Sequence, residues 1–371
     1  MMVDKGLKGV VAAETELSFI DGNAGKLLYR GYDAKELAIR HSFEEVAYLL
    51  WYGSLPNSAE LQSFKAAWVR CRQLPEPVIQ CLNQLPSDMN LMSQLRTAVS
   101  VLGTTVYEGA PHVEQAMALT AVMPAIIANL YRKKNGLPVW ESIPSNSSLS
   151  HAAHYLYLLT GEVPSDIHAS ALETYMILTM EHGLNASTFT ARVITSTESD
   201  MVSALTGALG AMKGSLHGGA PSGVTEMLEQ IGTADCAEDW LRGQLEQRRL
   251  LMGFGHRIYR TRDPRAEALK MRISQMEESD HWLDLAQSVE DTAVRLLDEY
   301  KPGRKLYANV EFYAAAIMRA IGLPSELFTP TFSASRTVGW TAHMIEQAKD
   351  NVIYRPDAKY IGSFPATEYV S

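Results

Sequence analysis

Apolar residues in this chain recur three and four positions apart far more often than they alternate. Ser42 opens one such run, with Glu45 placed to close a capping box. Apolar positions follow at Val46, Leu49 and Leu50, and Gly53 ends the run. The same spacing predicts helices through Leu172 to Leu178, Ala204 to Met212 and Val289 to Leu297. Pro164, Pro302 and Pro324 fall between runs and mark loops. Ala116 to Leu130 is apolar almost throughout. It is short for a membrane span and contains Pro124, so it predicts a buried helix. Period-two alternation is best in Leu17 to Ile20 and Lys26 to Tyr29, joined across Asp21 to Gly25 as a hairpin. The pattern therefore predicts an all-α protein with at most a short N-terminal hairpin.

Asn135 to Ser150, rich in proline, serine and asparagine, is the most linker-like stretch. From about Gly219 to Ala316 the chain carries more charge, and chemical motifs bound this region. That predicts a smaller helical domain, 217–319, inserted into a large helical domain made of 1–216 and 320–371. A chain of 371 residues, 46% hydrophobic and 20% charged, can bury such a core. The net charge of −9 argues against a general nucleic-acid binder. Cys71, Cys81 and Cys236 form no disulfide or zinc pattern and point to a reducing compartment, the cytoplasm. The first eighteen residues lack the apolar core of a signal peptide. Without a secretory signal, the glycosylation patterns Asn185-Ala186-Ser187 and Asn146-Ser147-Ser148 carry no weight. No membrane partner is expected.

Four stretches carry chemistry. Gly253-Phe254-Gly255-His256-Arg257-Ile258-Tyr259-Arg260-Thr261-Arg262-Asp263-Pro264-Arg265 sets one imidazole among glycines and four arginines. Such a segment offers close backbone approach, a group that titrates near neutrality and anion-binding forks. A basic surface turn is the competing reading. His217 precedes Gly218-Gly219, and Pro221 suits the first turn of a following helix. The positive end of that helix would keep the imidazole neutral and able to donate to a carbonyl oxygen. The alternative is a satisfied histidine in a turn. His182 lies in a helical pattern between Glu181 and Asn185, where a core histidine is also expected. Glu311 opens the apolar run Phe312 to Ile321. A buried carboxylate there is either a general base of raised pKa or one half of an ion pair with an arginine. Arg265, Arg336 and Arg355 each sit beside Pro, Gly or Trp in apolar surroundings, which suggests a small polycarboxylate ligand. Metal ligation is disfavoured. His151 and His154 stand one helical turn apart without a third ligand, as on a solvated helix face.

These motifs, in this order, resemble those of the citrate synthases, in the short form found in bacteria and archaea. The resemblance runs from Gly6-Leu7-Lys8-Gly9-Val10 and Tyr29-Arg30-Gly31-Tyr32 to Arg355-Pro356. It implies a two-domain helical homodimer that condenses acetyl-CoA with oxaloacetate and hydrolyses the thioester to citrate. It also implies no metal or redox cofactor, acetyl-CoA being a co-substrate. By resemblance, His217 donates to the thioester carbonyl, Glu311 removes a methyl proton, and His256 polarises the oxaloacetate ketone. His182, Arg265 and Arg336 match groups that hold the dicarboxylate, and Arg355 matches one that completes the neighbouring subunit's site. Arg260 matches a CoA-phosphate ligand, and the Gly253, Phe254, Gly255 loop lies where adenine is cradled. One departure stands out: the family usually has aspartate at the position of Glu311. An added methylene moves the carboxylate by roughly 1 Å, which can cost on the order of 10²-fold in rate. The chain begins almost at the first family motif, so a dimer without NADH control is expected. The rival readings are 2-methylcitrate synthase acting on propionyl-CoA, dual activity, a non-catalytic CoA or oxaloacetate binder and, more distantly, a metal-dependent hydrolase.

Overall fold

The computed structural model describes residues 5–7, 9–103, 107–144, 146, 148–218, 220–256, 258–274 and 281–363. Lys8, Ser147, Gly219 and Arg257, which fall within the stretches singled out above, lie outside the described residues. Sixteen α-helices and one small sheet make up the described chain. The first group is α1 (Ala34–Arg40), α2 (Phe43–Tyr52), α3 (Ser58–Arg70), α4 (Glu76–Gln84), α5 (Leu91–Ser100) and α6 (Val113–Lys134). Then come α7 (His151–Thr160), α8 (Asp166–Thr179), α9 (Ala186–Ser196), α10 (Met201–Met212) and α11 (Ala220–Ile231). The last are α12 (Ala237–Glu246), α13 (Pro264–Ile273), α14 (His281–Tyr300), α15 (Val310–Ala320) and α16 (Phe328–Lys349).

Local chemistry sets the boundaries. Ser42 and Glu45 form the expected capping box at α2, and Gly53 ends the helix at φ 93°, a left-handed conformation glycine tolerates. α6 is long and apolar enough to cross a membrane, but 83% of its most apolar window is buried inside the molecule. Stretch 135–150 is a surface loop rather than a link between bodies, because the two helices it joins, α6 and α7, pack on each other. Arg72 and Gln73 hold it down by donating to the carbonyls of Leu149 (2.8 Å) and Ile143 (2.7 Å).

His151 and His154 do not form a solvated face. Both are buried, in α7. Trp68 Nε1 donates to His151 Nδ1 at 3.2 Å, and His151 stacks on Phe43 at 4.4 Å. His154 Nε2 donates to the Pro144 carbonyl at 3.1 Å. Burial lowers the pKa of both rings, so the pair is a neutral part of the core.

α16 runs through the centre, against α2, α6, α8, α9 and α10. Helices α11 to α15 pack largely on one another, and α13 also rests on α1 and α8. One hydrophobic cluster runs through all of them.

The hairpin forms as expected, β1 (Ser18–Asp21) against β2 (Lys26–Tyr29), with Ser18 opposite Tyr29 and Asp21 opposite Lys26. A two-residue strand that the alternation did not reveal, β3 (Tyr32–Asp33), adds to its edge. This small sheet bridges two distant loops. The Tyr29 hydroxyl, fully buried, donates to the Glu181 carbonyl at 2.9 Å, and Ser18 Oγ donates to Glu181 Oε1 at 2.9 Å. At the hairpin tip, Arg260 N–H donates to the Gly22 carbonyl at 2.8 Å. A Cβ on Gly22 would lie 2.3 Å from the Ile258 carbonyl oxygen, so only glycine allows this approach.

Candidate active site

Five chain segments converge beside that hairpin. The first is the loop 180–185 between α8 and α9. It carries His182, which is therefore outside the helix its spacing suggested. Met180 follows the last residue of α8, and Asn185 starts α9 by accepting from Thr188 N–H at 3.1 Å. Glu181 anchors the loop from below. Its carboxylate is fully buried, accepts from Ser18 Oγ and Gly183 N–H, and lies 3.2 Å from His343 Nε2. Arg192 Nε donates to His343 Nδ1 at 3.0 Å, which leaves the imidazole proton on Nε2, facing Glu181.

The second segment is the turn before α11, which carries His217. Ser187 Oγ lies 2.8 Å from His217 Nε2 and 2.8 Å from Asn185 Oδ1, and accepts from Trp340 Nε1 at 3.1 Å. The hydroxyl has one proton for two acceptors. When it turns to His217 Nε2, the neutral ring carries its own proton on Nδ1. Burial lowers the His217 pKa to about 4, and the Arg336 guanidinium adds to this. The neutral ring expected from sequence thus has desolvation and a neighbouring cation behind it.

The third segment begins at Gly253, where the chain before α15 pins it, and leads into the start of α13. Gly255 N–H donates to Tyr307 O, Asn309 N–H to Gly253 O and Asn309 Nδ2 to Gly255 O, at 2.8, 2.9 and 2.9 Å. Gly253 and Gly255 both have positive φ, 81° and 83°, and a Cβ on Gly253 would come within 2.9 Å of Phe312 Cβ. Phe254 packs on Phe312 at 5.0 Å. Backbone N–H groups of Ile258 and Tyr259 both donate to His256 Nδ1, each at 3.1 Å. That fixes the His256 proton on Nε2, which faces Arg265 Nη2 at 3.3 Å. Two N–H groups so close together can share one acceptor placed to their side. Burial, then Arg265, lowers the His256 pKa to about 4.

Arg265 lies in the first turn of α13, whose N-cap is Asp263. Asp263, 2% exposed, grips Arg265 Nε and Nη2 at 3.0 and 2.8 Å and also accepts from Val310 N–H at 3.1 Å. One carboxylate therefore joins the arginine to the start of α15. The buried charge is paired and hydrogen-bonded, as burial requires.

The fourth segment is the N-terminus of α15. Asn309 caps it by accepting from Glu311 N–H at 3.0 Å, and Glu311 stands in the first turn. Among the described residues no cation comes within ion-pair distance of the Glu311 carboxylate; Arg265 is paired with Asp263. Glu311 keeps some contact with solvent, yet desolvation raises its pKa to about 7, against the opposing pull of Arg265 and Arg336. The fifth segment is mid-α16. Arg336, 2% exposed, donates from Nε to the Thr179 carbonyl at 2.6 Å and lies over the Phe332 ring.

His182, His256, Arg265, Arg336 and Glu311 thus share one electrostatic neighbourhood. His182 and His256 stand edge to face at 5.7 Å. Burial, then Arg265, Arg336 and His256, holds the His182 pKa well below its usual value. The starts of α9, α13 and α15 all lie here, adding positive dipole ends. The result is a small chamber of neutral imidazoles and fixed cations with one half-titrated acid, suited to an anionic ligand and to proton transfer. Among the described residues no cluster of three or more His, Cys, Asp or Glu side chains could hold a metal ion.

Arg355 is not brought into this chamber within one chain. It is exposed on the extended segment after α16 and lines a separate groove of about 860 Å³ with Glu16, Arg30, Arg192 and Tyr354. Arg260 is also exposed, beside the hairpin tip. Asp263, Ser187, Tyr259 and Tyr29 are the site residues that sequence reasoning gave no role. An Asp-Pro pair at a helix start was the legible signal for Asp263. The others depend on contacts between segments far apart in sequence.

Residues 6–357 match the family model described as citrate synthase, C-terminal domain. The chain belongs to the citrate synthase family. It is 39% identical to a citrate synthase of Haloferax volcanii, across 96% of this chain and 95% of that protein. It is 40% identical to a 2-methylcitrate synthase of Mycobacterium tuberculosis, across 97% and 91%. A solved ternary complex of the Thermoplasma acidophilum citrate synthase with carboxymethyl coenzyme A and oxaloacetate superposes with a TM-score of 0.87. That match is 31% identical and covers 99% of this chain and 98% of that one.

Proposed function

We propose that the chain condenses acetyl-CoA with oxaloacetate and hydrolyses the resulting citryl-CoA to citrate and CoA. The observation that carries this reading is the chamber itself: His182, His256, Arg265, Arg336 and Glu311 meet in one place with His217 beside Ser187. Arg265, Arg336 and His182 hold the two carboxylates of oxaloacetate. His256 hydrogen-bonds through Nε2–H to the ketone oxygen, and so polarises the carbon to be attacked. Glu311 accepts a proton from the acetyl methyl group while His217 Nδ1–H donates to the thioester oxygen. The donor reacts as an enol, and no full enolate charge has to form. The enol carbon then bonds to the ketone carbon: the ketone oxygen takes the His256 proton, and the enol proton returns to His217 as the thioester carbonyl re-forms. Water next adds its hydroxyl to that carbonyl and gives a proton to the departing CoA sulfur, and the proton held by Glu311 restores His256. Acid–base groups and fixed dipoles suffice for every step, so no cofactor is needed beyond the co-substrate.

The family position of Glu311 is usually aspartate, and Glu311 remains the base here. Gly253, Phe254, Gly255 and Arg260 line the proposed approach of CoA. Helices α11 to α15 bring His256, Arg265 and Glu311, while His182 and Arg336 come from the remaining body. That division supports a small domain, 217–319, closing on a large one, 1–216 and 320–371, to exclude water. Arg355 completes the neighbouring site of a homodimer. Its exposure, and its lack of an ion pair among the described residues, fit a role in trans. Sedimentation should give a dimer, and a monomer or hexamer would overturn that arrangement. The three cysteines are free, which fits a cytoplasmic protein.

The second reading is 2-methylcitrate synthesis from propionyl-CoA, kept open by the mycobacterial relative. One methyl group in a pocket is worth only about 1–3 kcal/mol. Release of free thiol, measured with acetyl-CoA or propionyl-CoA and with oxaloacetate present or omitted, decides between them. The expected result is oxaloacetate-dependent release, faster with acetyl-CoA. Faster release with propionyl-CoA favours the second reading, and release without oxaloacetate makes the protein a thioesterase.

A further inference from the structure

We infer that Tyr259 is a positioning residue that holds the dicarboxylate-binding side chains of the two chain bodies in register, and so sets affinity for oxaloacetate more than the rate of the chemical step. The inference deepens the reading of the site given above and rests on it.

Tyr259 is 4% exposed and touches three of the proposed oxaloacetate groups at once. Its hydroxyl lies 3.2 Å from His182 Nε2. Its ring lies 4.7 Å from the His256 ring at a tilt of 33°, and the Arg265 guanidinium sits 5.7 Å from its centroid. Its backbone N–H is one of the two donors that fix the His256 tautomer. These contacts are not interchangeable. The backbone N–H acts within one segment, 256–265, and the ring meets His256 and Arg265 there and the edge of His182 at 5.7 Å. The hydrogen bond that reaches across, to the loop after α8, comes from the hydroxyl.

The chemistry of that cross-link is directional. A phenol hydroxyl donates more strongly than a neutral imidazole N–H, so His182 Nε2 accepts from Tyr259 and the proton of the neutral ring sits on Nδ1. Burial raises the phenol pKa, so Tyr259 keeps its proton across the working pH range and remains a donor. Without the hydroxyl, His182 Nε2 has no side-chain hydrogen-bond partner among the described residues, and only ring packing on His256 and residue 259 holds its orientation. A dicarboxylate would then meet a site whose arginines are fixed and whose third anchor is not, and ordering that anchor costs affinity.

The test separates hydroxyl from ring. Tyr259→Phe keeps the ring contacts and the backbone N–H and removes only the cross-link. The expected result is an oxaloacetate KM raised about tenfold, the size of one lost hydrogen bond of about 1.4 kcal/mol. The acetyl-CoA KM should stay within twofold, and kcat should fall less than about threefold. Direct oxaloacetate binding without acetyl-CoA, by calorimetry, should weaken by the same factor. Tyr259→Leu also removes the surface under His256, so kcat should fall in that variant as well. The idea is overturned if Tyr259→Phe leaves the oxaloacetate KM unchanged. It is equally overturned if both substrates' KM values rise together, as a general loosening of the fold would produce. If the Leu variant does not fold, the Phe variant decides alone. Wild-type protein that releases no thiol would sink the synthase reading instead, a distinct outcome.

Discussion

Glu311→Gln lowers kcat by about 10³-fold, within the range general-base removal spans, and leaves oxaloacetate affinity within a few-fold. The amide occupies the same place in the first turn of α15 but cannot take a proton. The pH dependence carries the same signature. Desolvation raises the Glu311 pKa from 4.5 to about 7, and a base works only when deprotonated. Wild-type kcat should therefore fall tenfold per unit as pH drops below about 7, and the residual activity of Glu311→Gln should lack that limb. His217 and His256 have pKa values of about 4 and stay neutral across this range, so neither contributes a limb between pH 5 and 8. Stability should move the other way. A carboxyl whose folded pKa lies above its unfolded value stabilises the fold below about 4.5, and that contribution is lost as pH rises through about 7. Glu311→Gln should thus melt higher than wild type at pH 8 and gain nothing near pH 4. Glu311→Asp keeps a carboxylate, displaced by roughly 1 Å, and should retain at least about tenfold more activity than the Gln variant. A Gln variant with near-native turnover would remove Glu311 from the mechanism.

His217→Ala should lower kcat by about 10²–10³-fold, the usual effect of deleting one donor to a developing oxyanion. Oxaloacetate is held by other groups, so its KM should change little. The acetyl-CoA KM should also change less than kcat, because the donor is worth most when charge develops on the thioester oxygen. Steady-state kinetics with each substrate varied in turn check this. An equal loss for both KM values with kcat preserved would make His217 a binding group. A further comparison probes why the ring is ready to donate. In Ser187→Ala the partner of Nε2 is gone, while Trp340 still packs in place. Part of the same loss should follow, because the neutral ring then divides between two tautomers.

The helical class, the cap at Ser42, the hairpin and the buried character of α6 were legible in the sequence because each is decided by neighbours a few positions away. Capping and period are local, and burial of a uniformly apolar helix follows from composition. The chemical residues stood out for the same reason. Glycines flanking an imidazole, and an acid at the head of an apolar run, are unusual wherever they occur. Reasoning from spacing failed where identity and period gave no vote on environment. The pair His151 and His154 has the spacing of a surface face, yet Trp68, Phe43 and the Pro144 carbonyl close over it. His182 continues the pattern of α8, but the helix ends at Thr179, and the Tyr29 hydroxyl holds the loop beyond it by donating to the Glu181 carbonyl.

By itself the sequence determined the elements and named most of the groups able to do chemistry: His217, His256, Glu311 and the arginines. Tertiary structure decided their electrical state and their aim. Three histidines lose their charge because protein replaces water around them and two buried guanidinium groups stand near, and one glutamate rises toward neutrality for the first of these reasons. Asp263, Ser187, Tyr259 and Tyr29 acquire their tasks only when segments up to 150 or so positions apart meet. Desolvation and hydrogen-bond direction depend on what surrounds a group in space, and no local pattern along a chain encodes that.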